Sequence, residues 1–583
     1  MSGGAIGTHP ATATAAAPIR TARNILCLLP PHYARLAFLF RPVIFVEFVR
    51  ESASVTEEPT AAPPRVTAYA WYALILFVIV YVFNFIDRQI VSILAESIKA
   101  DLKLDDAQIG FLYGTAFAVF YSLFGIPLGR LADSWYRGRL MAIGLALWSS
   151  MTALSGFAQS FGMLATARIG VGIGEASASP AAYSMIADFF PKERRATALS
   201  IYSSGLYIGG GIALPLGGFV LAEWGRQFPV AASAPLGLAP WQAAFLAVGL
   251  PGLLLATWIW TLREPLRGAI DGHASDIVRP NAWSEFGREL AAILPPLTLV
   301  SAARLPGALV PNLLVLAVCT AGAFAFGSLT GDWPQWLAWW TGIYAVFSWT
   351  QSLKRRDPAT HKLLWGTPVV TMLVVAFGSI SFMTYAIAFW IPPYVLRTFY
   401  SGPTDAALIM QGVTAAEEVS TIFGWSAAAA SAIGVILGGI VSDKLRQRHA
   451  AGRLYVNMAA VVLPAPAVFF LFTTDNLAIF YAVTPYVSLC SALWVGAAVA
   501  TLQDMVLPRM RGTAGATYVL GTSLVGLALG PYSAGKVAAV TGSLSTGVFS
   551  LYVVPPFTLI ALWIASRRIG ELEATREERA ARA

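Results

Sequence analysis

Charge is scarce in this chain. Of its 583 residues only 12% are Asp, Glu, Lys or Arg, while 57% are hydrophobic. Soluble domains carry about 25% charged residues, so the composition excludes a soluble domain and describes a polytopic membrane protein. Cysteine is scarcer still: Cys27, Cys319 and Cys490 stand far apart and offer neither a disulfide framework nor a zinc site. The five histidines (His9, His32, His273, His361 and His449) all fall outside the apolar runs, which argues against a proton relay through an intramembrane imidazole. A Gly-x-x-x-x-Gly-Lys-Ser/Thr loop is absent, and with it a built-in ATPase. The net charge of +8 would suggest a nucleic-acid partner for a soluble chain. Here the Lys/Arg excess lies in short loops between apolar runs, the mark of cytoplasmic loops, and no nucleic-acid partner is expected.

Long apolar runs are what the chain has in abundance. Crossing ~30 Å of hydrocarbon as a helix takes ~20 predominantly apolar residues. Such runs lie near 68–95, 109–131, 140–158, 162–189, 196–222 and 241–262, then 307–329 and 333–352, then 366–396, 420–441, 454–473, 477–502, 512–538 and 546–566. The pattern is six, two and six. Alternate loops are basic, with Arg130/Arg137/Arg139, Lys192/Arg194/Arg195, Arg263/Arg267, Lys354/Arg355/Arg356, Lys444/Arg446/Arg448 and Arg509/Arg511. The alternation holds only if the pair at 307–352 spans, and it places both termini in the cytoplasm. The expected division is a tail at 1–66, a six-helix bundle at 67–263, a linker with two extra spans at 264–362, a second bundle at 363–568 and a tail at 569–583. Ile25–Phe48 is apolar but broken by Pro and Arg; it reads as an interfacial helix or a disordered start, and it lacks the order of a cleavable signal peptide.

Two patterns occur twice. Gly129-Arg-Leu-Ala-Asp133, with Arg137 and Arg139 after it, is echoed by Gly439-Ile-Val-Ser-Asp443, with Lys444, Arg446 and Arg448 after it. A glycine ten residues before a proline appears as Gly205…Pro215 and Gly521…Pro531, each with a tyrosine, Tyr202 or Tyr518, three residues before the glycine. Two patterns in the same order imply duplicated six-helix halves with a substrate site between them, although glycines also serve simple close packing. Gly205, Gly209 and Pro215 are then expected to let the fifth helix pack closely and bend, as Gly521 and Pro531 do in its counterpart.

These residues also carry a resemblance. Gly129-x-Leu-Ala-Asp133-x-x-x-Arg137 resembles the loop signature of the major facilitator superfamily, and Arg168-x-x-x-Gly172-x-Gly174 with Pro180 resembles its fourth-helix signature. Asn84-Phe-Ile-Asp87-Arg88, Gly172-Ile-Gly174-Glu175-Ala176 and Asp188-Phe-Phe-Pro191 together resemble its Spinster branch, whose members export lysolipids and sphingoid phosphates. The resemblance implies an all-α fold of two six-helix bundles related by a pseudo-two-fold axis, with the two extra central helices outside that plan. It implies that Gly129, Asp133 and Arg137, with Gly439 and Asp443, form a gate on the cytoplasmic side. One departure is Ser134, where the family usually has a basic residue.

Four ionisable residues lie at membrane depth: Asp87, Arg88, Arg168 and Glu175. Each costs about 2.5–3.5 kcal/mol to insert, so a functional role is the default reading. At ~1.5 Å per residue Asp87 lies ~24 Å along its helix from Trp71, Arg168 ~12 Å from the opposite side, and Glu175 ~10 Å deeper. An Asp87–Arg168 ion pair follows, with Arg168 and Glu175 on one face. Arg88, ~100° round from Asp87, is expected to face elsewhere. Burial and a neighbouring arginine act oppositely on a carboxylate, so Asp87 and Glu175 are the expected proton sites and Arg168 their partner or an anchor for an anion. The alternative is a static network that locks the helices.

The second half offers aromatic residues instead, Tyr385 and Phe389 on one helix face, as the apolar wall of a cavity, or else as ordinary packing. The expected function is a secondary transporter, and no enzyme, for an anionic lipid-like solute coupled to protons. No cofactor or metal is expected, and the chain is expected to be a monomer among membrane lipids in the bacterial inner membrane. Import of small organic anions is the alternative within transport, and a non-transporting receptor or scaffold the alternative of another class.

Overall fold

The computed structural model describes residues 66–271, 278, 280–400, 414–507 and 510–582; the expected segment Ile25–Phe48 lies outside them. In hydrocarbon a backbone must satisfy its own N–H and C=O groups, and the regular elements of the described residues are accordingly helices. The first bundle comprises α1 (Ala68–Leu102), α2 (Asp106–Ala132), α3 (Arg137–Ser155), α4 (Phe161–Glu175, continued by Ala178–Phe189), α5 (Lys192–Gln227) and α6 (Pro240–Trp260). A short helix α7 (Ala282–Ile293) and the hairpin α8 (Leu309–Thr330) and α9 (Trp333–Arg356) follow. The second bundle is α10 (Pro368–Phe399), α11 (Ala415–Arg448), α12 (Gly452–Leu471), α13 (Leu477–Asp504), α14 (Arg511–Thr541) and α15 (Leu544–Ala574).

Eleven of these helices are long and apolar enough to cross a membrane. The other three of the expected fourteen have evident reasons to fall short: α4 is broken, α3 starts on Arg137 and Arg139, and α9 mixes tryptophans with Gln335, Gln351 and a basic end. The amphipathic helix α7 is an addition to the sequence reading, which saw only a polar stretch there. Its apolar side, Ala282 and Phe286, packs on Leu131, Ala132 and Leu140 at the end of α2 and the start of α3.

Side chains set many of the helix ends. Thr67 accepts from the Ala70 N–H, Ser160 from Met163, Thr414 from Glu417 and Ser543 from Thr546, each satisfying an otherwise orphaned donor. Asp105 and Gln108 form a reciprocal capping box at the start of α2. Within spans, proline sets the irregularities. Pro180 follows the break in α4, and Pro531 follows a π-helical stretch, Thr522–Leu527, in α14.

Glycine and proline join the halves. Gly209 meets the Val82 carbonyl of α1, and Gly521 meets Val374 of α10, so α5 and α14 each lie on the first helix of their own bundle. Between bundles, Pro215 of α5 meets Gly424 of α11, and the Pro531 carbonyl of α14 meets Gly110 of α2. A Cβ at Gly114 would lie 2.4 Å from the Leu527 carbonyl, too close for any larger residue unless the seam parts.

Candidate functional site

The buried charges are brought together, with partners that differ from the expected ones. Arg88, on α1, donates from Nη2 to Glu175 Oε2 at 2.7 Å and to Asn84 Oδ1 at 3.3 Å. Its guanidinium lies 4.5 Å from the ring centre of Phe117, 4.9 Å from Phe85 and 5.0 Å from Tyr121, within cation–π range. Glu175 sits where α4 breaks, its side chain fully buried. The expected Asp87–Arg168 ion pair is therefore replaced: Arg168 donates from Nη1 to the backbone carbonyl of Asp87 at 3.3 Å and from Nε to that of Leu112 at 3.5 Å. The Asp87 carboxyl instead faces Thr152 and Trp148 of α3. The four residues share the expected depth, but the rotation about the α1 axis differs from the expected one; about 100° separates the two neighbours, and it is Arg88 that turns toward α4.

The network is incomplete. Asp87 Oδ1, Arg88 Nε, Arg168 Nη2 and Glu175 Oε1 are buried and make no hydrogen bond among the described residues, although groups of this kind are normally satisfied. This leaves donor and acceptor capacity for a ligand, water or proton. Among the described residues no cluster of His, Cys, Asp and Glu could hold a metal.

Of the two aromatic residues expected on the second wall, Tyr385 of α10 is half-buried and interacts with Arg88 from across the seam. Phe389 is sealed between the bundles: its ring stacks on Tyr113 at 4.2 Å and its carbonyl accepts from Ser92 at 2.7 Å. It is part of the closure and not of an open wall.

At the end bearing the basic loops, Arg137 is wholly buried and pairs with Asp188 at the end of α4 and with Glu264 after α6, Nε to Oε1 at 2.6 Å. Its Nη2 donates to the Pro265 carbonyl and Nη1 to Ser184, both at 2.9 Å. Asp133 closes α2 as its C-cap residue, its N–H bonded to the Gly129 carbonyl. In the second bundle Arg453 pairs with Asp504 and, at 3.3 Å, with Asp443, which is 68% exposed, while Arg446 pairs with Glu573. Gly439 has open space around it.

Four acidic or basic residues at span ends form a cluster that the sequence reading does not anticipate. Arg397 of α10 reaches Glu96 of α1 at 2.6 Å and Asp106 of α2 at 2.7 Å, and Lys99 also holds Asp106 at 2.6 Å. With the exposed pair Arg226–Glu417 at 2.7 Å, the two Arg397 pairs are the ion pairs that join the two bundles among the described residues, and they lie at the end opposite the basic loops. As residues at the edges of apolar runs they look like loop charges in the sequence. Their signal is complementarity, with acid on α1 and α2 and a lone arginine at the end of α10.

Comparison with known proteins places this geometry. A family model described as Major Facilitator Superfamily matches residues 77–531. The chain is 26% identical over 508 residues to an MFS-type efflux pump of Mycolicibacterium smegmatis, covering 86% of this chain and 93% of the relative. It is 26% identical over 480 residues to protein spinster homolog 1 of Homo sapiens, covering 80% and 73%. A shorter match, 29% identical over 206 residues, is to a probable galactarate/D-glucarate transporter of Bacillus subtilis, covering 34% of this chain and 42% of that one. The fold superposes on the crystal structure of a bacterial homolog of the human lysosomal transporter Spinster with TM-score 0.61, 23% identity and coverage of 88% and 98%.

Proposed function

This chain belongs to the Major Facilitator Superfamily, in its Spinster branch, and is a transporter rather than an enzyme; from that premise we propose that it moves an amphipathic, anionic, lipid-like solute of the lysophospholipid or sphingoid-phosphate type by alternating access, coupled to protons. The observation that carries the reading is the Arg88–Glu175 pair, buried, ringed by Phe85, Phe117 and Tyr121, and left with unused polar atoms. A phosphate or carboxylate head needs a guanidinium, and an acyl chain needs the aromatic and aliphatic surface beside it.

The coupling follows from electrostatics. An anion that takes Arg88 must displace Glu175. A buried carboxylate stripped of its partner is costly while it remains ionised, so Glu175 accepts a proton as the anion arrives. Arg88 itself stays charged throughout. Asp87, whose Oδ1 is unpaired, is the second proton site, and Arg168, held on backbone carbonyls, supplies fixed positive charge between the two carboxylates. The loop-charge bias puts the basic end in the cytoplasm, with both termini there. Since the bundles are tied at the other end, the structure is closed on the outward side, and the Arg397 cluster must part for the site to open there.

A second reading is supported by the galactarate/D-glucarate transporter relative: a small organic anion would use Arg88 equally well. Reconstituted vesicles tested with lysolipids and with sugar diacids, with and without a pH gradient, separate the two. The lipid reading predicts binding and movement of the lysolipid alone, and movement of the diacid alone contradicts it.

A further inference from the structure

The hairpin α8–α9 lies outside the two-bundle plan, and nothing so far gives it work. We propose that it is a built-in latch, which holds α2 of the first bundle against α14 of the second and so keeps the end opposite the basic loops closed. This rests on the alternating-access reading above.

The grip has three parts. At the head, Asp332 in the α8–α9 turn pairs with Lys536 of α14 at 2.7 Å and accepts from the Tyr532 hydroxyl at 2.8 Å; Lys536 also donates to the Thr330 carbonyl at 2.6 Å. In the middle, α9 threads the seam itself. The Thr115 hydroxyl of α2 lies 2.6 Å from both Gln335 Oε1 of α9 and the Ala528 carbonyl of α14. One hydroxyl proton cannot serve two acceptors, and Gln335 Nε2 has no partner. Turning the amide over, a change that shape does not resist, gives each of the two contacts one donor and one acceptor: Gln335 donates to Thr115, and Thr115 donates to Ala528. Three helices are thereby joined by one buried chain.

Trp339 supplies the second contact in the middle. Because α14 is π-helical over Thr522–Leu527, the Ala528 N–H bonds to the Ser523 carbonyl. The Leu524 carbonyl therefore lacks its usual donor four residues on. Trp339 Nε1 donates to it at 2.8 Å. Gly342, one turn further along α9, fits between the bundles: a Cβ there would lie 3.1 Å from both Leu524 of α14 and Val119 of α2.

At the foot, an ion-pair chain ties the hairpin to the first bundle. Arg356 pairs with buried Glu289 of α7, which also pairs with Arg130 of α2 at 3.6 Å. Within the hairpin, Tyr344 donates to Asn312 at 2.6 Å and Asn312 donates to Gln351 at 3.0 Å, so α8 and α9 act as one strut. A strut fixed to α2 at its foot and to α14 at its head cannot stay attached to both when those helices part at Gly110–Pro531 and Gly114–Leu527. Opening therefore has to release the Thr115, Trp339 or Asp332 contacts.

The test reads conformation rather than transport. In a cysteine-free background, spin labels at the exposed positions Ala100 and Val540 report the distance between the bundles at the closed end in lipid nanodiscs. The combined variant Asp332→Asn, Gln335→Ala, Trp339→Phe is expected to raise the long-distance population by about tenfold, the effect of one or two lost hydrogen bonds. Exchanging the charges, Asp332→Lys with Lys536→Asp, should keep the wild-type distribution. If the combined variant fails to fold, Trp339→Phe alone, which keeps an aromatic ring and removes the donor, decides by the same readout. An unchanged distribution in the folded variant, while a ligand or pH change opens the wild type, overturns the latch alone. A single distance in every protein and condition overturns alternating access and the latch with it.

Discussion

In the first bundle Arg137, at the start of α3, grips Asp188 at the end of α4; in the second, Arg453 on α12 grips Asp504 at the end of α13. The partners are 51 residues apart in both. The offset that carries one pair onto the other also carries Gly205 and Pro215 onto Gly521 and Pro531. Applied to the buried charges, it carries Arg168 onto Thr484 and Glu175 onto Ser491. The frame is thus repeated where the bundles are braced and hinged, and the repeat is broken where charge is buried. One bundle holds the chemistry. The other supplies Tyr385, the closing surface at Phe389 and the Arg397 tie.

The largest expected effect comes from erasing that asymmetry. Arg88→Ala should lower ligand binding on the order of a hundredfold, since hydrogen bonds to a charged group contribute about 1.5–3 kcal/mol, while Arg88→Lys should retain part of it. Equal losses from a charge-neutral change in the second bundle, such as Thr484→Val, would break the comparison. Next in size are the braces. Asp188→Asn, which leaves the fully buried Arg137 with Glu264 as its remaining carboxylate partner, should cost about 2 kcal/mol of stability in thermal or denaturant unfolding. Asp504→Asn faces an arginine 18% exposed and should cost about 1 kcal/mol; the reverse order would show that the second bundle is the better braced.

A smaller effect is expected at the tie between bundles. Arg397→Ala should raise the labelling rate of a cysteine placed at Ser92, now buried against the Phe389 carbonyl, about tenfold. Unchanged labelling would mean that the apolar seam alone keeps that end shut. The smallest is Asp443→Ala. An exposed pair contributes about 0–1 kcal/mol, so transport and stability should stay close to wild type, despite the resemblance of its loop to that of Asp133.

Much of this architecture was legible in the sequence. Hydrophobic length gives fourteen expected spans, of which eleven are described helices long and apolar enough to cross a membrane, and the duplicated halves follow from Gly205…Pro215 and Gly521…Pro531. The four buried charges declare themselves by their cost. What the sequence hid was azimuth: two neighbouring residues on α1 can be placed at the same depth, but which of them turns to α4 depends on how the helices are rotated in the bundle. Arg88 is the weaker candidate in the sequence for that reason, and it holds the pair with Glu175. The Arg453–Asp504 repeat was available from its equal spacing and was masked by the closer motif at Asp443. The hairpin's grip on Thr115 and Leu524 had no sequence signal, because it depends on a π-helical carbonyl that only tertiary structure exposes.

The central claim, that an anion takes Arg88 while Glu175 takes a proton, is tested most directly by proton uptake on ligand binding in weakly buffered solution, with a lysophospholipid as the ligand. The account predicts about one proton taken up per ligand bound through this linkage, abolished by Glu175→Gln with binding retained. Uptake that persists in Glu175→Gln and disappears in Asp87→Asn would contradict it and move the coupling to Asp87.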